Sequence, residues 1–400
     1  MDRALAARVA EAKEAAREVL LHNAHGPYRQ LPRTAAWGYP EPYTRDLMLA
    51  ALGILTTGDE KLLCALRRTF EALAENQTEH GHIPSLAHDR HEVGASDTTP
   101  LFLLALSYYR EVTGEHGFLE QAARKAITWM EYQSPGDQVI VGQLPTSDWR
   151  DEQWVLGFGL YVNAVTYACL RCYGYEERAA RLRRMMGHFV ALGEVKPGHV
   201  AEGLVVPHRP YYALWSYKIY SGNRFDLLGN SLAILSGLAS QQRAKAMLRW
   251  VENECQAMRK RYELSVCCPP NLFPYIRPTD FDWRPRYERF NRPGEYHNGG
   301  VWPFACGLYV AAALAAGFPK LAEQQLASLT ELVRPARNHD VGFGFNEWIK
   351  AQDGTPRGQD WQTWSAGMYL YAAECVERGE VLFFQALLPR PARMEARAAG

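Results

Sequence analysis

Two carboxylic acids stand in unusual company in this sequence. Asp151 closes the segment Ser147-Asp148-Trp149-Arg150-Asp151, with Trp154 just beyond it, and Glu347 is a lone acid in the run Gly342-Phe343-Gly344-Phe345-Asn346-Glu347-Trp348. Aromatic bulk beside a carboxyl group strips away water and raises its pKa, which is what a general acid requires. Cleavage of a glycosidic bond needs one carboxyl that holds a proton for the leaving oxygen and one that is ionised to activate water or to attack. Asp151 is the expected acid, with Asp148 in reserve. Glu347 is its expected partner across a pocket; the competing reading is an ordinary loop glutamate.

Further polar and aromatic residues gather in clusters, each just ahead of an apolar helical stretch. These are Pro42-Tyr43-Thr44-Arg45-Asp46; Gly94-Ala95-Ser96-Asp97-Thr98-Thr99-Pro100; Thr146 with the Asp148 to Glu152 stretch; Asn223-Arg224-Phe225-Asp226; Glu295-Tyr296-His297-Asn298-Gly299-Gly300-Val301-Trp302-Pro303; and Gln359-Asp360-Trp361-Gln362-Thr363-Trp364. Sugar hydroxyls need planar bidentate partners, and the C–H faces of a sugar ring need flat apolar platforms. The expected sugar-binding residues are therefore Tyr43, Arg45, Asp46, Asp97, Trp149, Arg224, Asp226, His297, Asn298, Trp302, Gln362 and Trp364. Each has a blander alternative when taken alone: Asp97 as a helix N-cap, Arg45 and Asp46 as a first-turn ion pair.

The elements that must carry these clusters are helical. Apolar periodicity predicts helices at 3–23, 44–57, 60–75, 97–113, 117–133, 157–173, 175–193, 211–221, 229–238, 240–259, 298–316, 319–334 and 361–377, with a short one near 380. Only 138–141 and 203–206 read as strands. Helices 60–75, 117–133, 175–193, 240–259 and 319–334 carry a charged face, as solvent-facing helices do. Helices 44–57, 97–113, 157–173, 229–238, 298–316 and 361–377 are nearly uncharged beyond their first turn, as expected of helices packed on all sides. The alternation predicts an all-α fold, an (α/α)6 six-hairpin barrel spanning 1–388 as one domain, followed by a loose tail at 389–400. In such a ring all inner helices run one way, so their N-terminal clusters converge on one mouth.

Composition narrows the function. The 400 residues carry 44 basic and 44 acidic side chains, so no strong electrostatic footprint for nucleic acid or an anionic membrane exists. At 47% hydrophobic and 22% charged residues the chain has the make-up of a globular protein. The first twenty residues lack the basic and apolar regions of a secretory signal, so a cytoplasmic location is expected. Segment 301–318 is uncharged, but its Pro303, Gly307, Gly317 and many alanines suit a helix enclosed by other helices. Cys169 and Cys172 lie in an apolar helical stretch and read as buried thiols. His80, His82, His88 and His91 sit among acids in a polar loop, a weak metal candidate set against the expectation of no metal. No Walker loop, Gly-x-Ser-x-Gly elbow or dinucleotide fingerprint is present, and no cofactor is expected. The expected partner is a small carbohydrate; self-association stays open.

Glu295-Tyr296-His297-Asn298-Gly299-Gly300-Val301-Trp302-Pro303 resembles the Tyr-His-Asn-Gly-Gly-x-Trp-Pro signature of the alkaline/neutral invertases. Three other segments agree in order: Tyr43-Thr44-Arg45-Asp46-Leu47, Phe225-Asp226-Leu227-Leu228-Gly229-Asn230-Ser231-Leu232-Ala233-Ile234, and Trp361-Gln362-Thr363-Trp364-Ser365-Ala366-Gly367. The resemblance covers about residues 37 to 377. It implies a six-hairpin barrel and metal-free, inverting hydrolysis of sucrose, with Asp46, Asp97, Arg224, His297 and Gln362 on the glucosyl unit and Glu347 matching a family glutamate. Around the acid, Ser147-Asp148-Trp149-Arg150-Asp151 departs from the invertase pattern and is nearer in style to debranching α-glucosidases and trehalases, and Asp97-Thr98-Thr99-Pro100-Leu101-Phe102 also resembles the debranching relatives. Other α-glucosides (an α-1,6-linked oligosaccharide, trehalose, glucosylglycerate) are therefore alternatives to sucrose. A sugar 2-epimerase or a non-catalytic carbohydrate-binding barrel are the rivals from other classes; the epimerases place two histidines in the pocket, and His297 alone occurs in the clusters.

Overall fold

Helices dominate the computed structural model, which describes residues 1–134, 139–187, 203–217 and 220–388. Those expected to be inner are α2 (Thr44–Thr57), α4 (Thr98–Thr113), α6 (Leu160–Cys172), α8 (Leu227–Leu235), α11 (Pro303–Ala315) and α13 (Thr363–Arg378). Their sequences lack a polar stripe, and nearly every residue of α6, α8 and α11 is buried. Such helices reach low energy only when neighbours cover all sides. They do so by packing on one another in sequence: α2 on α4, α4 on α6, α6 on α8, α8 on α11, α11 on α13, and α13 back on α2. The contacts therefore close into a ring.

Where the ring closes, side chains give way to bare backbone. A Cβ on Gly53 of α2 would lie 1.8 Å from the backbone oxygen of Gly367 in α13, and one on Gly307 of α11 would lie 2.6 Å from the Met368 oxygen. Helices approach this closely only through glycine.

The amphipathic helices are α1 (Arg3–Asn23), α3 (Glu60–Asn76), α5 (Glu120–Tyr132), α7 (Glu176–Gly187), α9 (Gln241–Lys260) and α12 (Pro319–Leu332). Each buries residues at three- and four-residue spacing, such as Leu62, Ala65, Leu66, Thr69, Phe70 and Leu73 of α3. Helix α3 begins where Asp59 caps the Lys61 and Leu62 amides, and Ser240 caps α9 in the same way. α1 packs on α13, α12 and α3, joining the start of the chain to its end.

Sheet is where the sequence reading needs correction. Segment 211–221, expected as helix, forms instead β2 (Ala213–Tyr217) and the start of β3 (Tyr220–Asp226), flanked by β1 (Phe158–Gly159) and β4 (Leu272–Phe273) in an antiparallel sheet ordered β1-β2-β3-β4. Its aromatic run Tyr211-Tyr212-Ala213-Leu214-Trp215-Ser216-Tyr217 favours a pleated surface over a helix. A second hairpin pairs β5 (Trp348–Ile349) with β6 (Pro356–Arg357), directly after Glu347. The expected strand at 203–206 is reduced to one bridge between Val205 and Tyr212. Of the expected strand at 138–141, residues 139–141 form no strand and Gln138 lies outside the described residues, as do the end of the 175–193 helix and the tail at 389–400. One short helix, α10 (Tyr287–Phe290), had no sequence signal, and the element near 380 is a 3-10 turn at Gln385–Leu387. Among the described residues no helix is long and apolar enough to cross a membrane. The uncharged stretch at 301–318 is the enclosed α11, Cys169 is buried and Cys172 half-buried.

Candidate active site

The N-terminal ends of α2, α11 and α13, with the loops before them, line a cavity of about 120 Å³. Tyr43, Arg45 and Asp46 come from the start of α2; Tyr296, His297 and Trp302 from the approach to α11; Gln362 and Trp364 from the start of α13. Trp149 and Asp151 enter from the loop before α6, Glu347 from the loop before β5, and Thr34 and Tyr39 from the loop between α1 and α2. Aromatic packing fixes the wall. The Trp302 ring stacks on His297 at 5.4 Å, Trp149 meets Trp302 edge-on at 5.1 Å, and Trp364 lies flat on Phe304 at 4.1 Å. The indole nitrogens of Trp149 and Trp364 and the Oε1 of Gln362 are buried without a hydrogen-bond partner among the described residues. Buried polar atoms are normally satisfied, so these groups are suited to the hydroxyls of a bound ligand.

Three carboxyl groups face this space, and each is held above its ordinary pKa. Burial pushes Glu347 up to about 8, against a single backbone amide, that of Gln359, donating to Oε2 at 3.2 Å; the carboxylates of Asp46 and Asp151 raise it further, and Arg337 opposes them. Burial likewise pushes Asp46 up to about 7, although the adjacent Arg45 pulls the other way. Asp151 is raised chiefly by loss of water to the pocket walls, then by Glu152 and Asp148, against Arg45; its side chain is 64% exposed toward the mouth, which keeps this shift smaller than that of sealed Glu347. His297 Nε2 stands 3.7 Å from Asp151, but burial and the charges of Arg150 and Arg45 lower the imidazole's pKa well below its ordinary value. It is a neutral neighbour and no counter-ion.

A second, wider chamber of about 620 Å³ adjoins the first. Tyr39, Asp151, Tyr296 and Glu347 line both, so the two acids stand at the constriction between them. Gly358 makes this constriction possible: a Cβ there would fall 2.2 Å from Glu347 Oε2, and its φ of +70° suits glycine in any case.

Not every expected site residue reaches the cavity. Asp97 lies beneath it, fully buried, and accepts from Arg45 Nε and from Nη2 at 3.0 Å; it holds the guanidinium that lines the pocket. Asp148 and Asp226 both serve Arg150, whose guanidinium is 1% exposed, with Nη1 bonding Asp148 at 3.0 Å and Nη2 meeting Asp226 at 2.5 Å. Asp148 also accepts from Gln143 and from the Arg150 amide. This buried cluster ties the acid-bearing loop to the start of α8, and it leaves Asp148 no path to a ligand. Arg224 is taken by Asp280 and Asp282, and Asn298 by the backbone of Ile276 and Asn291. These five residues are corrections to the expected lining: a competing partner of opposite charge or a backbone group claims each. His82 of the histidine loop is buried against Trp129 and bonded to Thr99, with burial pushing it down to about 4.

The sequence reading passed over Thr34 and Tyr39, and it quoted Tyr296 within a cluster without giving it a role. Tyr39 sits in a loop ahead of the first cluster and carries no helix-start signal, although the Gly38-Tyr39-Pro40 turn marks a backbone bend worth inspecting.

Residues 220–379 match the family model described as alkaline and neutral invertase. The matched stretch includes the expected segments at 225–234, 295–303 and 361–367, whereas the segment at 43–47 lies outside it. Cytosolic invertase 1 of Oryza sativa subsp. japonica is 29% identical over 163 residues, covering 38% of this chain and 26% of that protein. Alkaline/neutral invertase E, chloroplastic, of Arabidopsis thaliana is 27% identical over 183 residues, 44% of this chain and 28% of that protein. The matches thus span about a quarter of the length of these curated relatives. Among solved structures, the GH63 mannosylglycerate hydrolase from Thermus thermophilus in complex with Tris and D-glycerate superposes with a TM-score of 0.66 at 16% identity, covering 90% of this chain and 99% of that one. A glycosidase in complex with glucose does so at 0.63 and 14% identity, over 97% and 100%. At such identities these likenesses speak for the fold.

Proposed function

We propose that this chain is an inverting glycoside hydrolase acting on a small α-glucoside, and that its ring of helices is the inner wall of an (α/α)6 barrel formed by residues 1–388. The observation that carries the reading is the placement of Asp151 and Glu347 at the constriction shared by two chambers. The inner chamber takes the glucosyl ring, with Arg45, Asp46, His297 and Gln362 toward its hydroxyls and Trp149, Trp302 and Trp364 as platforms. The outer chamber takes the leaving group. The scissile bond then lies between the acids. The invertase likeness makes sucrose the first substrate to test, and the same inner chamber serves other α-glucosides.

Asp151 acts as the general acid and donates its proton to the glycosidic oxygen as the bond to the anomeric carbon breaks. Glu347, ionised, takes a proton from a water that attacks that carbon from the opposite face. Glu347, with its pKa pushed to about 8, keeps one proton within the pair at neutral pH. That proton rests mainly on Glu347, whose pKa is the one pushed to about 8, and the reactive arrangement is the minor one in which it has moved to Asp151. Because loss of the last proton follows the pKa of about 8 at Glu347, kcat/KM falls as pH rises through that value. An epimerase reading lacks its second histidine, since His297 is the one histidine lining the cavity among the described residues.

The stereochemistry tests the mechanism. Proton NMR of fresh product is expected to show β-glucose first; α-glucose before mutarotation would mean a covalent intermediate and remove the base role from Glu347. Asp151→Asn is expected to abolish turnover, with kcat down by at least about a thousandfold while KM stays within a few-fold. Asp148→Asn acts through Arg150 and is expected to lower stability by about 3 kcal/mol, read from chemical denaturation, as removal of one partner of a buried ion pair does.

A further inference from the structure

The outer chamber has a charge imbalance that a neutral leaving group does not explain. Arg289 of α10, Arg337 from the loop after α12 and Arg357 of β6 all line it. None of the three has a carboxylate within ion-pair distance among the described residues; Arg337 spends one N–H on the Gly358 oxygen at 2.9 Å, and Arg289 lies over the Phe290 ring at 5.2 Å. The chamber's own acids are already answered from outside it. Glu152 is held by Arg286, and Glu295 by Lys350 at 3.3 Å. Only Asp151 and Glu347 remain, and the reaction requires that they carry a single negative charge between them. The walls beyond the scissile bond are therefore cationic, in a protein whose basic and acidic side chains balance overall at 44 against 44. What sets these three apart is that they converge on one cavity, where a leaving group would sit.

We propose that the outer chamber recognises an oxyanion on the leaving group, so that the preferred substrates are α-glucosides of small acidic alcohols, bearing a carboxylate or a phosphate, ahead of neutral disaccharides. Guanidinium groups match both oxyanions through paired N–H donors. Three of them around a cavity of this width accept a small acid without demanding one shape. The leaving group departs as the free hydroxy acid, its oxygen having taken the proton of Asp151, and the anion keeps its charge throughout.

This inference rests on the hydrolase reading, and the test separates the two. kcat/KM is measured for α-glucosylglycerate, for α-glucosyl glycerol 3-phosphate and for the uncharged α-glucosylglycerol, with sucrose alongside. The expected result is a preference of about tenfold or more for one or both charged glucosides over glucosylglycerol. The larger of the two ratios tells carboxylate from phosphate. Arg289→Ala and Arg357→Ala are expected to shrink that ratio several-fold and to leave turnover of glucosylglycerol within about twofold. Calorimetric titration of free D-glycerate and of inorganic phosphate gives a readout independent of hydrolysis: saturable binding by the unaltered protein, weakened in both variants. Binding of this kind without hydrolysis of any glucoside would uphold the anion chamber and overturn the hydrolase. Equal turnover of charged and uncharged glucosides, unchanged by either arginine substitution, would uphold the hydrolase and overturn the anion chamber.

Discussion

Glu347 is nearly sealed from water, and its proton is held until about pH 8. That has a cost in the folded state whose sign is fixed. Below about pH 4.5 the group is protonated whether the chain is folded or not, and it contributes nothing. Above that the unfolded chain loses the proton while the folded one retains it, so stability falls as pH rises, until the folded group also ionises near 8. Asp46, pushed up to about 7, adds to the same trend. Glu347→Gln is therefore expected to match the unaltered protein in urea at pH 4 and to exceed it at pH 9 by up to about 4 kcal/mol, measured from denaturation midpoints. A variant less stable at pH 9 would mean that the carboxylate is solvated or paired. What the sequence disclosed at this scale was residue type. Glu347, Asp151, Gln362 and three tryptophans were legible because aromatic and glycine-rich surroundings mark a site, whereas the choice of partner was not. Asp148 and Asp151 stand three residues apart in one short segment; the fold alone decides that Arg150 turns one inward and leaves the other at the cavity. Arg224 looked as available as Arg45 until Asp280 and Asp282, more than fifty residues on, were found holding it.

The helices were legible because their period is local, and the apolar inner helices differ from the amphipathic outer ones in plain composition. The β2–β3 hairpin was not, since its aromatic run satisfies either period over so short a length and its pairing partners lie far away in sequence. The α2–α13 crossing illustrates what packing adds. Gly53 and Gly367 are ordinary glycines in sequence, yet they bring two backbones together so closely that a methyl group at 53 would strike the Gly367 oxygen. Both helices present cavity residues at their starts: Arg45 and Asp46 on one, Gln362 and Trp364 on the other. Gly53→Ala is accordingly expected to force them apart, to destabilise the protein by about 3 kcal/mol and to raise KM for any α-glucoside that it cleaves. Thermal unfolding and kinetics on the same preparation check both halves; an unchanged Tm would show that the crossing relaxes freely.

Closure of the inner ring brings α1, at the start of the chain, against α13. Asn23, the last residue of α1, is fully buried and donates from Nδ2 to the Trp361 oxygen at 2.8 Å and to the Thr363 hydroxyl at 3.0 Å. Its loss would leave those acceptors unmet at the foot of the helix that presents Gln362. Asn23→Ala is expected to cost about 2 kcal/mol in chemical denaturation and to weaken substrate binding several-fold, although it lies outside the cavity. An effect on stability with none on KM would restrict Asn23 to holding the fold. The same topology orders events at the ribosome. α2 leaves the exit tunnel with an apolar wall made for α13, yet about 300 residues separate the two, and Glu347 emerges only shortly before α13. At ordinary elongation rates of roughly 5–20 residues per second, that wall is without its partner for about 15 to 60 seconds. The nascent chain is thus inactive and adhesive for most of its synthesis, a natural client for chaperones, and a truncated message yields an open arc of hairpins with half a mouth.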